Sequence, residues 1–445
     1  MTIKYYYIPK KLDLDALVTT LPIGSKLDKD KIGWLISNIY RQCSIQKDDY
    51  EQFGQVNLSS KIMQSYVHNY KEGLEILNLN GIISSTNSYS NGTNSYCKSY
   101  SISESYKGDV QRFTYTKSYT YKLNKNLRKT QSKPVKYLDK WFEDLAFEFD
   151  YNKAVTINQT KFKHLSVSSS KSTALDLYSI YSYDISRVRD KSYQLGRDST
   201  SGRYHNCLTN LKKDFRSAFS YNHQPLFQVD LKNSQPFLMQ MLFDAENIEK
   251  IKVLLQSSSN TTSTTTLLPS LSSSIMLVKS PTTLAHQEFT AYKVAVNSGV
   301  FYEDFMQTAQ SLGINTLNTR GEAKKAVYLA IFSSNKWKSQ SVIPQFDASL
   351  KLVFIHCYPH INQILEAIKS DNKNSLAIIL QIIEAYLIID VCCKRISTER
   401  PSIPLFTIHD SISTIEEFVP YVKDVMEQEI EKFVGAKPAL DVSQW

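Results

Sequence analysis

The sequence predicts an α+β protein with more than one domain, and three observations lead to this prediction. The chain has 445 residues, more than one hydrophobic core of ordinary size requires. Its apolar fraction of 42% and charged fraction of 21% are those of a globular protein rather than a disordered one. Helical patterns and short apolar strand patterns both occur, and composition divides the chain into segments 1–123, 124–200 and 201–445.

Charge, cysteine content and hydropathy restrict the function classes. The net charge of +9 suits a polyanionic partner such as nucleic acid, although many basic proteins bind none. The six cysteines lack paired spacing, so we expect reduced thiols and neither a disulfide framework nor a zinc site. The most apolar stretch, 376–391, contains Gln381, Glu384 and Asp390 and is predicted to be a buried helix. We therefore expect no export signal, no membrane insertion and a cytoplasmic location.

Segment 1–123 has the pattern of a small α+β domain. Ser59 or Ser60 can cap a short helix, and 70–79 forms a second helix. Gly81 then begins extended Ser/Thr/Tyr-rich sequence with Asn91-Gly92 as a hairpin turn signal. The order helix, helix, hairpin resembles the winged-helix modules of replication and regulatory proteins, which implies that the second helix enters the major groove of DNA. A small domain without DNA contact is the alternative.

Segments 124–200 and 256–274 carry no candidate catalytic residues. Segment 124–200 holds amphipathic patterns at 137–149 and 174–188, and we predict helical linking structure there. Residues 256–274 consist largely of Ser and Thr, with little to bury. We therefore predict a disordered or mobile insertion within segment 201–445.

Two short apolar strands each lead to an aspartate. Strand 226–229 precedes Asp230, and strand 404–408 precedes His409 and Asp410. A buried carboxylate is costly unless it is paired, so Asp410 needs a metal, a cation or a turn that leaves it in water. Two carboxylates brought together across a sheet repel one another unless a divalent cation lies between them. The pair is therefore a candidate two-metal site for phosphoryl transfer.

A helical pattern between the two aspartates carries cations and rings on one face. Four side chains recur every four residues and form one stripe: Arg320, Lys324, Tyr328 and Phe332. This stripe suits a helix whose basic end holds a triphosphate while its rings stack on a base. A surface helix with inward-packed rings and snorkelling cations is the alternative.

Three segments in this order resemble motifs A, B and C of the family A DNA polymerases and the related single-subunit RNA polymerases of phages and mitochondria. The segments are QVDLKNSQPFL, TRGEAKKAVYLAIFS and TIHDSIST. Flanking positions resemble the same families, and these are Gly202-Arg203, Asn210-Leu211, Arg216, Gln381 and Trp445. The resemblance covers 201–445 and implies a right-hand polymerase fold, with an antiparallel palm sheet, helical fingers and a helical thumb-like region in 124–200.

The resemblance also implies roles for individual residues. Asp230 and Asp410 would bind two Mg²⁺ ions, for which Mn²⁺ can substitute. The positions implied for the incoming nucleotide are Arg320 and Lys324 at the phosphates, Tyr328 at the sugar, and Phe332 near the template base. The positions implied for primer and template are Arg203, Asn210, Arg216, Gln381 and His409. Phe332 stands where the family has a tyrosine, and Ser333 follows it where the family often has glycine.

The implied activity is that of a DNA-dependent DNA polymerase, with a DNA template, a primer and nucleoside triphosphates as partners. Gln235 stands where the DNA polymerases carry a glutamate that blocks the ribose 2′-hydroxyl and the RNA polymerases carry glycine. Its bulk favours deoxynucleotides, but its amide can instead hydrogen-bond a 2′-hydroxyl. A single-subunit RNA polymerase, a primase-like enzyme and a non-catalytic DNA-binding replication regulator therefore stay open. The compact domain set suits replication of a phage or other mobile element.

Overall fold

Helices and antiparallel strands both occur in the computed structural model of this chain, which agrees with the predicted α+β class. The structure describes residues 4–46, 50, 54–86, 97–130, 133–168, 170–257, 261–279, 281–336 and 345–445. These residues form two units. Unit 1 comprises Met1–Lys133, Leu145–Gly196 and His205–His223. Unit 2 comprises Pro134–Asp144, Arg197–Tyr204 and Gln224–Trp445.

The strands and helices are numbered in chain order. The strands are β1 (Tyr5–Pro9), β2 (Val56–Asn57), β3 (Ile83–Ser85), β4 (Ser99–Ile102), β5 (Val110–Thr114), β6 (Phe147–Phe149), β7 (Gly196–Arg197), β8 (Tyr204–His205), β9 (Phe219–Tyr221), β10 (Gln224–Leu231), β11 (Phe406–Ile408), β12 (Ser411–Ile415) and β13 (Leu440–Gln444). The first ten helices are α1 (Leu14–Thr19), α2 (Lys29–Ile45), α3 (Ser60–Tyr66), α4 (Tyr70–Leu79), α5 (Lys117–Thr130), α6 (Lys136–Glu143), α7 (Tyr151–Ser168), α8 (Lys171–Arg189), α9 (Cys207–Asn210) and α10 (Ser234–Met239). The later helices are α11 (Ala245–Ser257), α12 (Thr261–Lys279), α13 (Thr283–Asn297), α14 (Phe301–Ser311), α15 (Arg320–Phe332), α16 (Gln345–Cys357), α17 (Pro359–Ile368), α18 (Ser375–Ala385), α19 (Lys394–Glu399) and α20 (Val419–Val434).

Unit 1 contains a run of short elements between α2 and β4. The run is α2, β2, α3, α4, β3 and β4, and its strands form an antiparallel sheet in the order β2-β4-β3. Ser59 caps α3 by accepting a hydrogen bond from the backbone N–H of Ile62. The predicted hairpin turn at Asn91-Gly92 lies outside the described residues, so the winged-helix assignment stays a prediction.

Unit 2 contains an antiparallel sheet with β10 paired to both β12 and β13. Asp230 of β10 lies opposite Ser411 of β12 and opposite Asp441 of β13. β11 and β12 form a hairpin in which Ile408 pairs with Ser411, so only His409 and Asp410 make the turn. The predicted strand–turn–strand at TIHDSIST is therefore present, although Asp230 lies within its strand rather than after it.

The Ser/Thr-rich segment is helical where the structure describes it, and the prediction of a disordered insertion at 256–274 is wrong for those residues. α12 begins at Thr261 and packs against α11 and α17. Leu267, Leu271 and Ile275 are buried at intervals of four residues, which makes one apolar face. Ser274 is fully buried and donates its hydroxyl to the carbonyl of Leu271. The prediction rested on the number of hydroxyl residues and did not take the spacing of Leu267, Leu271 and Ile275 into account.

One continuous helix of unit 2, Ser375–Glu399, is by length and composition apolar enough to cross a membrane. Two thirds (67%) of its most apolar window is buried inside the protein, and a core helix passes the same test of hydropathy. The helix comprises α18, a π-helical segment at Tyr386–Cys393 and α19. It is the only such helix among the described residues.

Two buried lysines hold the C-terminal end of α15. The Lys369 ammonium donates to the carbonyl oxygens of Ala330 (2.5 Å) and Ser333 (3.2 Å). The Lys351 ammonium donates to the Ser333 hydroxyl at 2.8 Å. Burial lowers the pKa of Lys351 to about 8, while burial and the neighbouring Lys351 lower the pKa of Lys369 to about 7. The ammonium groups satisfy carbonyls that a helix end leaves without partners.

We expect the lowered pKa of Lys369 to make stability depend on pH. Between about pH 7 and the ordinary lysine pKa of 10.5, the unfolded state binds more protons than the folded state, so the free energy of unfolding rises with pH. As the pH rises through this range, the free energy of unfolding of wild type should increase relative to that of Lys369→Met by up to about 1.4 kcal/mol per pH unit. Denaturant unfolding at several pH values measures this difference. Lys373→Met, at an exposed position of the following turn, is the control, and parallel curves for wild type and Lys369→Met would contradict the prediction.

Candidate active site

Two aspartates meet at one edge of the unit 2 sheet. Asp410 occupies the β11–β12 turn, and its backbone carbonyl accepts a hydrogen bond (3.3 Å) from the N–H of Leu231, the neighbour of Asp230. Burial, then the charges of Glu384 and Asp230, raise the pKa of Asp410 well above its usual range. The structure thus brings the two sequence-predicted carboxylates within electrostatic reach of each other, in a setting that disfavours negative charge.

A hydrogen-bonded chain orients the carboxylate of Asp230. The Gln228 amide donates to Asp230 Oδ1 at 3.0 Å, since residues two apart on a strand share a face. The Trp445 indole N–H in turn donates to Gln228 Oε1 at 3.3 Å. The Trp445 backbone N–H donates to the Leu226 carbonyl at 3.0 Å, which fixes the chain end beside β10.

Glu384 is a third carboxylate of the site, and sequence reasoning did not select it. It is 2% exposed and accepts two hydrogen bonds from the Arg203 guanidinium, at 3.0 and 2.5 Å. It also accepts from the Ser234 hydroxyl at 3.0 Å and the Gln235 amide at 2.5 Å. The resemblance selected Gln381 on the same helix, but Glu384 makes these contacts and Gln381 is half-buried one turn earlier. A carboxylate within an apolar helical stretch was the available signal, because such a group must have partners when it is buried.

The π-helical segment that follows Glu384 binds the short segment 197–203, which carries Arg203. Asp390 pairs with Arg197 at 2.7 Å, and the Arg197 Nε–H donates to the carbonyl of Gly202 at 2.7 Å. π-helical turns occur frequently at functional sites because the extra residue re-aims the side chains around it. Here two arginines of one short segment are tied to one helix, which fixes where Arg203 meets Glu384.

The predicted stripe of α15 is present on one helix face. Thr319 and Glu322 form a capping box at its start. The remaining contacts run along the stripe: Arg320 pairs with Glu303 at 2.9 Å, Lys324 lies 5.3 Å from the Tyr328 ring, and the rings of Tyr328 and Phe332 meet edge-on at 5.5 Å. An open cavity of about 500 Å³ follows this face and is lined by Lys324, Tyr328, Phe332 and their neighbours. Phe332 is 37% exposed, so its ring is available to a ligand.

Tyr302 of α14 links the stripe to the carboxylates and was also missed from the sequence. Its ring lies 5.0 Å from the Arg320 guanidinium carbon, and its hydroxyl is hydrogen-bonded to the Tyr328 hydroxyl. Burial chiefly raises the pKa of both tyrosines, and Asp410 raises both further. The tyrosine end of the stripe therefore lies within electrostatic reach of the carboxylates.

The other predicted site residues lie in different settings. His409 has φ = +52°, a left-handed conformation that few non-glycine residues adopt, in the tight turn before Asp410. Asn210 ends α9 and Arg216 lies in the 3₁₀ helix Lys213–Ala218, and both belong to unit 1. Their contact with primer or template stays a prediction.

The carboxylate pair fits a divalent metal by its chemistry. Mg²⁺ binds through one or two carboxylates plus waters and substrate phosphates, so two aspartates suffice. Arg203 forms its ion pair with Glu384, and not with Asp230 or Asp410. Among the described residues no group of three or more His, Cys, Asp or Glu side chains surrounds one candidate ion position. The residues that would hold the metals are thus Asp230 and Asp410.

Comparisons with known proteins give little beyond this geometry. No protein-family model matches the chain, and no curated protein matches it. Among solved structures, it is similar to the POL domain of Pol1 from M. smegmatis, solved in complex with DNA primer-template and dNTP. The TM-score is 0.33 and the sequence identity 12%, over 64% of this chain and 55% of that chain. The chain spans about half of that domain, and a similarity of this size assigns neither fold nor function.

Proposed function

We propose that this chain is a template-directed nucleotidyltransferase, a DNA-dependent DNA polymerase of the family A type that uses two Mg²⁺ ions. One observation carries the proposal. Two aspartates, Asp230 and Asp410, repel one another, and Asp410 lies within electrostatic reach of Tyr328, which belongs to a helix face with two cations and two rings. Phosphoryl transfer requires carboxylates that bind the metal ions and, beside them, cations that bind the phosphates.

In the proposed reaction the 3′-hydroxyl oxygen of a primer attacks the α-phosphorus of a nucleotide, and pyrophosphate leaves. Mg²⁺ ions bound by the two aspartates would supply activation of the hydroxyl and neutralisation of the developing phosphate charge. Lys324 is exposed and positioned to pair with the triphosphate, whereas Arg320 must first exchange Glu303 for a phosphate. The exposed Phe332 ring offers a stacking face for a base.

Gln235 is the proposed sugar-selecting residue. It is 6% exposed, and its amide nitrogen is committed to Glu384 at 2.5 Å, which fixes the side chain. Its Oε1 atom is buried without a hydrogen-bond partner within the described parts of the chain. A fixed side chain of this size excludes a 2′-hydroxyl by its bulk, whereas the free acceptor offers that hydroxyl a hydrogen bond. The bulk of Gln235 thus favours deoxyribose, whereas its free acceptor favours ribose.

We expect Gln235→Ala to lower the preference for dNTP over rNTP by about tenfold or more, because truncation opens space for a 2′-hydroxyl. The ratio of kcat/KM values for the two nucleotides in single-nucleotide primer extension measures this preference. Gln240→Ala is the matched control, since Gln240 is equally buried and bonds Asn297 instead. A fall in rNTP use alone would show that the amide binds the 2′-hydroxyl and would favour a ribonucleotide polymerase.

Primer extension tests the proposed function directly. Full-length protein with a primed DNA template, Mg²⁺ and labelled dNTPs should lengthen the primer, and Mn²⁺ should replace Mg²⁺. Extension with rNTPs only, or synthesis without a primer, would assign a single-subunit RNA polymerase or a primase-like enzyme. Folded protein that binds DNA and incorporates neither nucleotide would overturn the proposal in favour of a non-catalytic replication regulator.

A further inference from the structure

Positive charge in this chain is concentrated in one stretch of sequence. Residues 110–138 contain no aspartate or glutamate but eight cations, which are Arg112, Lys117, Lys122, Lys125, Arg128, Lys129, Lys133 and Lys136. The net charge of the whole chain is +9, so the remaining residues are together nearly neutral. A basic stretch of this kind is the electrostatic footprint of a polyanion-binding surface. The helix α5 (Lys117–Thr130) lies at its centre.

One face of α5 is anchored in unit 1. Tyr119 and Leu123, four residues apart, are buried, and the Tyr119 ring lies 5.2 Å from that of Tyr115. On this side α5 packs against α3, and the Lys122 ammonium donates to the carbonyl of Tyr66, the last residue of α3, at 2.8 Å. This bond satisfies a carbonyl that a helix end leaves without a partner. Lys122 therefore serves the fold.

A second face of α5 is open to solvent. Lys117, Tyr121 and Lys125 follow one another at intervals of four residues and form one exposed stripe, which we call the α5 stripe. Tyr121 is 70% exposed. Within the part of the chain that the structure describes, none of these three side chains makes a hydrogen bond, an ion pair or a ring contact. Both cations and the ring are thus available to a ligand.

The acids at the start of α2, beside the beginning of α5, have other partners. Asp30 accepts a hydrogen bond at 2.5 Å from the hydroxyl of Thr116, the residue that precedes α5. Asp28 pairs with Lys31 at 2.7 Å. The α5 stripe therefore takes no counter-ion from these acids, and an incoming phosphate does not have to displace one.

The helix that the winged-helix prediction places in the major groove of DNA carries the opposite charge. α4 has one cation, Lys71, and two acids, Glu72 and Glu75. Phosphates are attracted by cations and repelled by carboxylates, so the charge of unit 1 directs a nucleic acid toward α5 rather than α4.

We propose that the α5 stripe binds single-stranded DNA, with Lys117 and Lys125 at backbone phosphates and the Tyr121 ring stacked on a base. Proteins that bind single strands combine a positive surface along the backbone with aromatic rings on which bases stack. Lys117 and Lys125 are eight residues apart, about 12 Å along a helix, which is the length of about three to four nucleotides at about 3.4 Å each. The stripe belongs to unit 1 alone, so this proposal goes beyond the chemistry proposed at Asp230 and Asp410 and does not depend on it.

Fluorescence anisotropy of the full-length protein with a short labelled single-stranded DNA, over a series of KCl concentrations, tests the stripe. The double variant Lys117→Gln, Lys125→Gln should bind about tenfold more weakly. Its slope of log K against log salt should be shallower by about 0.7 for each phosphate that it no longer neutralises. Tyr121→Ala should also bind about tenfold more weakly but keep the slope, because it removes a stacking face and no charge. Tyr121→Phe keeps the ring and should bind as wild type does.

The double variant Lys71→Gln, Lys163→Gln is the matched control, because it removes the same charge from exposed lysines of α4 and α7. Equal or larger losses for this control pair would overturn the α5 stripe. Unchanged binding by Tyr121→Ala, with tighter binding of a duplex of equal length, would overturn a single strand as the ligand. Asp410→Asn should bind the single strand as wild type does, and loss of binding there would place the strand at the carboxylates instead. Circular dichroism checks that each variant folds.

Discussion

Asparagine in place of Asp410 or Asp230 should abolish primer extension while making the metal-free protein more stable. Loss of a carboxylate that holds the catalytic metals should lower kcat by about 10³-fold or more, equivalent to about 4 kcal/mol of transition-state stabilisation. The same change removes one of two charges that repel each other and that burial disfavours. The Tm in EDTA should therefore rise, and the opposite signs of the two effects distinguish a functional acid from a structural one.

Primer extension with dNTPs and thermal unfolding in EDTA measure the two effects. Asp441→Asn is the control, because Asp441 lies opposite Asp230 on β13 but pairs with Lys232 at 3.7 Å and is largely exposed. We expect this variant to keep activity and stability close to those of wild type. Asp410→Asn protein that folds, binds DNA and still extends primers would contradict the assignment of Asp410 to the metals.

Glu384→Ala should lower the free energy of unfolding by about 3–5 kcal/mol, because it leaves the Arg203 guanidinium without its buried partner. Ser234 and Gln235 lose their acceptor in the same change. Glu384→Gln should cost less than Glu384→Ala, because its one amide oxygen can still accept from Arg203, while its NH₂ group replaces the oxygen that accepts from Ser234 and Gln235. Denaturant unfolding measures these losses, and primer extension shows whether the misplaced Gln235 also changes sugar preference.

A double-mutant cycle isolates the ion pair from the rest of the Glu384 contacts. Arg203→Met together with Glu384→Ala should be less destabilised than the sum of the two single variants. Glu399→Ala is the matched control on the same continuous helix, since Glu399 forms an exposed i, i+4 pair with Arg395 and its loss should cost much less than that of Glu384. Additive losses for Arg203 and Glu384 would show that the pair does not stabilise the fold.

Local signals account for what the sequence predicted well. The helix at Arg320–Phe332 follows from its four-residue spacing and the Thr319 cap, and the turn at Asp410 follows from two flanking apolar strands. Each signal operates over a few residues, so it can be read from the sequence without knowing the fold.

The residues that the sequence did not predict act over long separations. Glu384 meets Arg203 across 181 positions, and Tyr302 meets Tyr328 only because α14 packs against α15. Near-misses have the same cause: Gln381 and Glu384 share a helix, and only tertiary packing decides which of them reaches the site. The prediction for the Ser/Thr-rich α12 was wrong for another reason. Small hydroxyl residues can be buried in a helix when apolar residues at a spacing of four supply its contact face.

The anchoring of α15 by Lys351 and Lys369 determines how that helix can move. Its Ser333 end is tied down by both ammonium groups, whereas the Arg320 end is held by an exposed ion pair with Glu303. A rigid helix held in this way would pivot at Ser333, and its length is about 18 Å at 1.5 Å rise per residue. A tilt of about 10° would carry Arg320 through about 3 Å while Phe332 stays almost still. Arg320 and Lys324 would thus change their distance from a bound phosphate while the Phe332 ring keeps its position.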